Sequence, residues 1–227
     1  MSEIITNAVD FLSKGGIVML FIFLCSIAAI VLVIERCITL HADNKQTTQL
    51  TKPLLEALDN AHIERAYSLI DSHPCALASI ASTALKHQGH SRESIQEAMT
   101  DEARQQDARL NRFIPMIGSI ASISPLLGLL GTVTGMIQVF SRLADEYDAG
   151  SIANPGMLAG GIWEALLTTA AGLCVAIPVF LFHRLLSSKL DARMLQLESV
   201  SAQILDIIAP APKAEITSDT EKSSQSA

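Results

Sequence analysis

The chain has 227 residues, of which 49% are hydrophobic and only 17% are charged, and its formal net charge is −7. Soluble domains carry about 25% charged residues, so this composition favours an integral membrane protein. The acidic balance argues against a nucleic-acid-binding protein, because such proteins present basic surfaces to phosphate groups.

The first sixteen residues precede the apolar part of the chain. Glu3, Asn7, Asp10 and Lys14 share one helical face, and apolar residues occupy most of the opposite face. This pattern predicts an amphipathic helix over residues 1–16 that lies on the outer surface of the membrane. The stretch has neither a basic n-region nor a small-residue cleavage site, so we interpret it as retained rather than as a signal peptide.

Three apolar runs are each long enough to cross a bilayer, which takes about 20 apolar residues. We predict transmembrane helices over residues 17–34, 113–140 and 157–182. Basic residues precede the second span and follow the third, whereas the loop over residues 141–156 is rich in acids. By the positive-inside rule, that loop and the N-terminus lie outside the cytoplasm, and the C-terminus is cytoplasmic. The expected fold class is therefore all-α, in a multi-pass membrane protein.

The segment over residues 35–112, predicted to be cytoplasmic, also has helical periodicity. Leu50, Leu54 and Leu58, for example, recur every four positions. Capping and breaking residues divide the segment into further predicted helices, which run from Asn60 as N-cap to Asp71, from Cys75 to Gln88 before Gly89, and from a Ser91 cap straight into the second span.

Residues 183–209, beyond the third span, keep an apolar stripe at helical spacing. A helix uninterrupted from Pro155 would be about 80 Å long at 1.5 Å per residue. An apolar stripe outside the membrane needs partners, so we expect a ring-like homo-oligomer. The polar tail over residues 210–227 is predicted to be disordered.

Glu164 lies inside the third span, where an acidic side chain costs about 2.5–3.5 kcal/mol. That span offers no basic residue as its partner. Thr168 and Thr169 lie in the same span, and Thr132 and Thr134 lie in the second. One acid and several hydroxyls in two spans indicate a polar path, most simply for a proton. The alternative for each threonine is a hydroxyl that only bonds to a carbonyl of its own helix.

Small residues recur along both spans and predict close helix packing in lipid. They are Gly128, Gly131 and Gly135 in the second span and Gly160 and Gly172 in the third. Pro125 and Pro178 also lie inside these spans, where each removes a backbone hydrogen bond and can kink its helix.

The sequence gives no sign of an enzyme, a cofactor or a metal centre. The four cysteines have no paired spacing and are expected to be reduced. His87 and His90 flank Gly89 in an expected turn, and on that spacing no metal site is predicted. Nucleophile–base pairs, a Walker loop and a GxGxxG motif are all missing from the sequence, so any work must draw on an ion gradient or a partner protein.

Two motifs are similar to a known family. The second span contains SPLLGLLGTVTGM over residues 124–136, and the third contains GIWEALLTTAAGLCVAIP over residues 161–178. Both resemble the motifs of the MotA/TolQ/ExbB proton channel family, and its ExbB branch most. In this resemblance Thr132, Thr169 and Glu164 match the family's pore residues, whereas Thr134 and Thr168 stand where other members often lack a hydroxyl.

The resemblance implies a pentamer in the inner membrane around a single-span ExbD-like partner that supplies a proton-binding aspartate. Such a complex uses the proton motive force to energise TonB-dependent import of siderophores, haem or cobalamin across the outer membrane, through a TonB-like protein. A TolQ-like role in envelope integrity is the nearest alternative. A MotA-like flagellar stator is disfavoured because that relative usually has four spans. An alternative from another functional class is a non-conducting membrane scaffold, in which a protonated Glu164 forms a hydrogen bond to a neighbouring residue.

Overall fold

The computed structural model describes residues 16–148 and 155–210. The secondary structure of these residues is helical and includes no strand. The helices, in chain order, are α1 (Gly16–Asp59), α2 (Ile63–Ser72), α3 (Ala76–Lys86), α4 (Arg92–Asn111), α5 (Ile114–Asp148) and α6 (Pro155–Ile208). The all-α prediction is therefore confirmed. The predicted N-terminal amphipathic helix and the polar tail lie outside the described residues, apart from Gly16 and Pro210.

Within residues 16–148 and 155–210, three parts of the chain are helical, long and apolar enough to cross a membrane. They lie within Gly16–Asp59, Arg92–Tyr147 and Leu158–Ile208; the first two contain the predicted spans 17–34 and 113–140, and the third overlaps all but the first residue of the predicted span 157–182. The helices continue well past the apolar runs, because polar and apolar residues keep helical spacing beyond them. Thus α1 extends from the first span to Asp59, and α6 is a single helix of 54 residues, as predicted from Pro155 onward.

The described residues form two compact units. The first comprises residues 16–42, 107–148 and 155–194 and contains the three apolar runs, and the second comprises residues 43–106 and 195–210. The second unit has an aliphatic core of fully buried side chains, which include Leu50, Leu54, Leu77, Ile80, Ile95, Leu197 and Ile204.

Two side chains cap helices in the second unit. Asp43 on α1 accepts a hydrogen bond of 2.9 Å from the backbone N–H of Ala76, the first residue of α3. Ser91 accepts one of 3.2 Å from the backbone N–H of Ser94, which confirms the predicted N-cap of α4. Both bonds satisfy donors that the first turn of a helix leaves without a partner in the helix itself.

The predicted N-cap at Asn60 is wrong, because Asn60 lies at the end of α1 rather than at the start of α2. Its side-chain amide donates to the carbonyl of Glu56 at 2.7 Å. The N–H of His62 bonds to Ala57 O at 2.8 Å and that of Ala61 to Leu58 O at 3.0 Å. These two bonds form a Schellman motif, which ends α1, and α2 begins at Ile63.

The predicted continuous helix from Ser91 into the second span is also wrong. A turn at Arg112 and Phe113 separates α4 from α5. Pro115 explains the break: it has no N–H to donate to the carbonyl of Asn111, and its ring would clash with that carbonyl in a continuous helix. The sequence contained this signal, since proline is tolerated in a first helical turn but not in a helix interior.

The side chain of Arg36 satisfies carbonyls that this break leaves without helical donors. Arg36 follows the first apolar run on α1 and is only 5% exposed. Its guanidinium donates to Leu110 O at 3.1 Å and to Arg109 O at 3.4 Å. It also pairs with Glu35 and lies 4.9 Å from the ring centroid of Phe113. Arg36 therefore joins α1 to the end of α4 within the first unit.

Candidate functional site

The second and third spans pack against each other through small residues. A methyl group added to Gly135 would lie 2.9 Å from Cβ of Ala165, and one added to Gly131 would lie 2.6 Å from Cβ of Thr168. Residue numbers fall along α5 as they rise along α6, so the two helices are antiparallel. Real Cβ atoms do not approach this closely, and the contact therefore depends on glycine at both positions.

The contact continues toward the other end of the pair. A methyl group at Gly128 would lie 2.9 Å from Cα of Thr169, and one at Gly172 would lie 2.6 Å from the carbonyl oxygen of Ser124. Ser124 is completely buried and its hydroxyl donates to Ile120 O at 2.8 Å. The backbones of α5 and α6 thus approach one another almost without intervening side chains.

Close contacts between α5 and α6 also involve two glycines that were not predicted from the sequence. A Cβ on Gly118 would meet Nε2 of His183 at 2.8 Å, and one on Gly161 would meet the side chain of Val139. Gly161 precedes Gly172 by eleven residues and so shares its helical face, which was an available signal. Gly118 does not share the face of the predicted glycines on α5, and its contact depends on the position of His183. Gly160 differs, because nothing described lies within 4 Å of a Cβ placed there.

Thr168 and Thr169 are adjacent in sequence but have different surroundings. Thr168 is 2% exposed, packs against Gly131, and donates to Ala165 O at 2.7 Å. Thr169 is half-buried, and its hydroxyl donates across to Gly128 O on α5 at 2.8 Å. Thr168 is therefore part of the packed contact, whereas Thr169 lies at its margin and links the two helices.

Thr132 and Thr134 are half-buried on α5. The hydroxyl of Thr132 donates to Leu129 O at 2.7 Å, and that of Thr134 donates to Leu130 O at 2.9 Å. Bonds to carbonyls of the same helix were the alternative interpretation of these threonines, and these two make them. A hydroxyl that donates its only proton in this way keeps two lone pairs as acceptors.

Glu164 is exposed on the surface of this single chain. Within residues 16–148 and 155–210, its side chain makes no hydrogen bond and no ion pair. It follows Gly160 by four residues and so shares a helical face with that uncovered glycine. Glu164 directly precedes Ala165, which packs against Gly135. It lies four residues, about one helical turn, before Thr168, which packs against Gly131. The side chain of Glu164 makes no hydrogen bond to the four predicted threonines.

Both predicted kink residues lie inside continuous helices, Pro125 in α5 and Pro178 in α6. Pro125 is half-buried and Pro178 is exposed. Neither can donate a backbone hydrogen bond, so the carbonyls four residues earlier, at Ala121 and Cys174, lose their usual helical donor. These carbonyls are additional hydrogen-bond acceptors within the two spans.

The fold and this contact define a class: a helical membrane protein in which two closely packed spans carry hydroxyls and one acid. A family model for the MotA/TolQ/ExbB proton channel family matches residues 72–199. That match covers more than half of the chain, and the protein belongs to this family.

Individual relatives agree with the family assignment. An ExbB-like biopolymer transport protein of Synechocystis is 34% identical over 191 residues, which cover 84% of this chain and 75% of the relative. A biopolymer transport protein of the ExbB type from Vibrio cholerae is 43% identical over 95 residues, 42% of this chain and 40% of the relative. The Tol-Pal system protein TolQ of Haemophilus influenzae is 39% identical over 83 residues, 37% of this chain and 35% of the relative. ExbB is thus the branch that this chain resembles over the greatest length among these three.

Proposed function

We propose that the chain is an ExbB-like subunit of a proton-driven complex in the bacterial inner membrane. One observation carries the proposal: Glu164 lies in an apolar span, is exposed on the single chain, and lacks a partner among the described residues. An acid facing lipid would cost about 2.5–3.5 kcal/mol, so its partner has to come from another chain or from water.

The surroundings of Glu164 fit another membrane helix as that partner. Gly160, one turn away on the same face, leaves room for close approach because nothing described lies near it. An ExbD-like single-span protein with its own acid fits this position and would complete a path for protons. Neighbouring copies of this chain, as an expected pentamer, would surround that partner and shield Glu164 from lipid.

The proposed path uses three side chains, namely Glu164, Thr132 and Thr169. The hydroxyls of Thr132 and Thr169 are half-buried and keep acceptor lone pairs that a water molecule or a hydronium ion can use. Thr168 has a different role in this proposal, because it is buried against Gly131 and positions α6 on α5. The sequence predicted Thr168 on the path, and we propose instead that it belongs to the helix contact.

The complex would convert proton movement into work on a TonB-like protein. One proton crossing about 150 mV releases roughly 3.5 kcal/mol, which is enough to drive a conformational step. The cargo class is that of TonB-dependent import: siderophores, haem or cobalamin. A TolQ-like role is the second candidate, because the TolQ protein of Haemophilus influenzae is also a relative.

A charge-removing substitution at Glu164 tests the proposal. Glu164→Gln should abolish proton flux in proteoliposomes that hold the co-purified complex, while native mass spectrometry shows the same assembly as the wild type. Glu198→Gln is the matched control, because Glu198 is an exposed acid on the same helix beyond the apolar run. Full proton flux and full uptake by Glu164→Gln would refute the proposed path and favour a non-conducting scaffold.

Co-expression with the genomic neighbours separates the two family roles. We expect several copies of this chain to purify with fewer copies of a small single-span protein. Loss of siderophore-dependent growth in Glu164→Gln cells indicates the TonB-linked role. Sensitivity to detergent with normal siderophore uptake indicates the TolQ-like role instead. A homo-oligomer that purifies without any such partner would contradict both.

A further inference from the structure

Two histidines at the turn between α3 and α4 have neighbouring rings and similar hydrogen bonds. Nδ1 of His87 lies 2.9 Å from Thr83 O, and Nδ1 of His90 lies 3.1 Å from His87 O. A carbonyl oxygen can only accept a hydrogen bond, so each Nδ1 carries the proton. In the neutral ring, Nε2 then keeps the lone pair that binds a metal.

The two rings are close enough to bind the same ion. Their centroids are 5.8 Å apart, a separation that suits two imidazoles around an ion with metal–nitrogen bonds of about 2.0–2.1 Å. Gly89 lies between them with φ of +95°, a conformation that glycine adopts without strain. This turn brings the side chains together although they are three residues apart and lie beyond the end of α3.

The hydrogen bonds also resemble those of established metal sites. Metal-binding histidines nearly always donate the other ring N–H to a carbonyl, a carboxylate or water, which fixes the tautomer and the ring orientation. Both histidines here make that bond before any ion is bound. The C-terminus of α3 adds negative potential at His87, which follows its last residue. Lys86 opposes this with a positive charge, but its side chain is exposed to solvent.

We propose that His87 and His90 together bind a divalent transition-metal ion, such as Zn²⁺, Ni²⁺ or Cu²⁺, through their Nε2 atoms. The position of the two histidines on either side of a turn at Gly89 predicted no metal site, whereas the structure adds the ring separation and the tautomers. Among the described residues, no cluster of three or more histidine, cysteine or acidic side chains could hold a metal. The site therefore has two protein ligands, water completes the coordination, and the ion exchanges readily.

Zinc titration of the full chain tests this site. The protein is purified in detergent without a histidine tag, and Zn²⁺ is titrated against a fluorescent zinc indicator. We expect His87→Ala and His90→Ala each to lower zinc affinity at least tenfold. Mg²⁺ should not compete, because it prefers oxygen ligands. Circular dichroism of each variant checks that the helices are retained.

His73→Ala is the matched control. Nδ1 of His73 lies 3.0 Å from Leu69 O, so this histidine can have the same tautomer, but it has no ring partner among the described residues. Its replacement should leave zinc affinity unchanged. The proposal is overturned if wild-type protein does not bind zinc, if either variant at the pair binds like the wild type, or if His73→Ala loses as much affinity. As a second readout, zinc should slow amide hydrogen exchange at residues 87–91 in the wild type and in His73→Ala, but not in His87→Ala or His90→Ala.

Discussion

Ala61 has a backbone conformation that favours glycine. Its φ is 54°, and it occupies the left-handed position of the Schellman motif that ends α1. A Cβ in this conformation costs about 1 kcal/mol, which glycine avoids. We therefore expect Ala61→Gly to stabilise the second unit by about 0.5–1 kcal/mol, measured as a higher unfolding midpoint in detergent.

The same substitution in the middle of a helix should have the opposite effect. Ala42 is exposed inside α1, where glycine costs up to about 1 kcal/mol relative to alanine. Ala42→Gly is therefore expected to lower the unfolding midpoint. If both variants were destabilised, the left-handed position of Ala61 would be wrong.

Single residues also show what the sequence could not predict about the site. Thr168 and Thr169 are neighbours with the same side chain, yet one is buried against Gly131 and the other bonds to α5 from the edge of the contact. Helical periodicity separates their directions by about 100° but does not say which direction faces α5. That assignment requires the position of the partner helix.

The contact between α5 and α6 depends on close approach at Gly131. A methyl group there would lie 2.6 Å from Cβ of Thr168, and the backbones are too close for it to be accommodated without a shift. We expect Gly131→Ala to destabilise the helix pair by about 1–3 kcal/mol, the usual cost of overpacking. Thermal unfolding of the detergent-solubilised protein is the measurement.

Gly160→Ala provides the comparison, because nothing described lies within 4 Å of the added methyl group. This variant should unfold within about 1 kcal/mol of the wild type, and alanine is also the better helix former. Adding Thr168→Ala to Gly131→Ala removes the hydroxyl oxygen and the methyl group that lie against the added Cβ, and it should recover part of the lost stability. Equal unfolding midpoints for Gly131→Ala and the wild type would contradict this packing.

The end of α4 depends on a side chain from another helix. Arg36 donates to two carbonyls there and is almost fully buried. Hydrogen bonds that involve a charged group contribute about 1.5–3 kcal/mol. We expect Arg36→Ala to destabilise the first unit by about that amount. Arg36→Lys should recover only part of the loss, because an ammonium group cannot reproduce the planar fork of a guanidinium.

Arg112→Ala tests whether this effect is specific to Arg36. Arg112 also lies 5.0 Å from the Phe113 ring centroid, but its side chain is exposed and makes no hydrogen bond to α4 among the described residues. Its replacement should change the unfolding free energy by less than about 1 kcal/mol. A similar loss for both variants would mean that ring contact, rather than carbonyl capping, stabilises the break.

At the level of elements, the sequence predicted the apolar spans well and their boundaries less well. Three long apolar runs and the unbroken stripe from Pro155 onward predicted the spans and α6. The break before α5 was missed because apolar spacing continues across it, although Pro115 forbids a continuous helix. Asn60 was misassigned because asparagine is also common at helix C-termini.

The single chain leaves much of its apolar surface uncovered. Large side chains in all three apolar runs are more than half exposed, including Ile17, Leu126 and Ile177. Lipid can cover these side chains, but it cannot satisfy Glu164. Two kinds of surface are therefore expected in the membrane, one that faces lipid and one that faces other chains. The apolar composition predicted the lipid-facing surface. The position of the surface that faces other chains is indicated by the exposed acid Glu164.

The orientation that the charges predict can be tested with single cysteines. The positive-inside rule predicts Asp145 on the periplasmic side and Glu93 in the cytoplasm, and both side chains are exposed. In a variant whose four cysteines are replaced by serine, a membrane-impermeant maleimide should label Asp145→Cys in intact spheroplasts. Glu93→Cys should react only after the membrane is permeabilised. That reaction also shows that the cysteine at this position is reactive. The reverse labelling pattern would mean that the chain has the opposite orientation in the membrane. The periplasmic and cytoplasmic ends of the proposed ion path would then be exchanged.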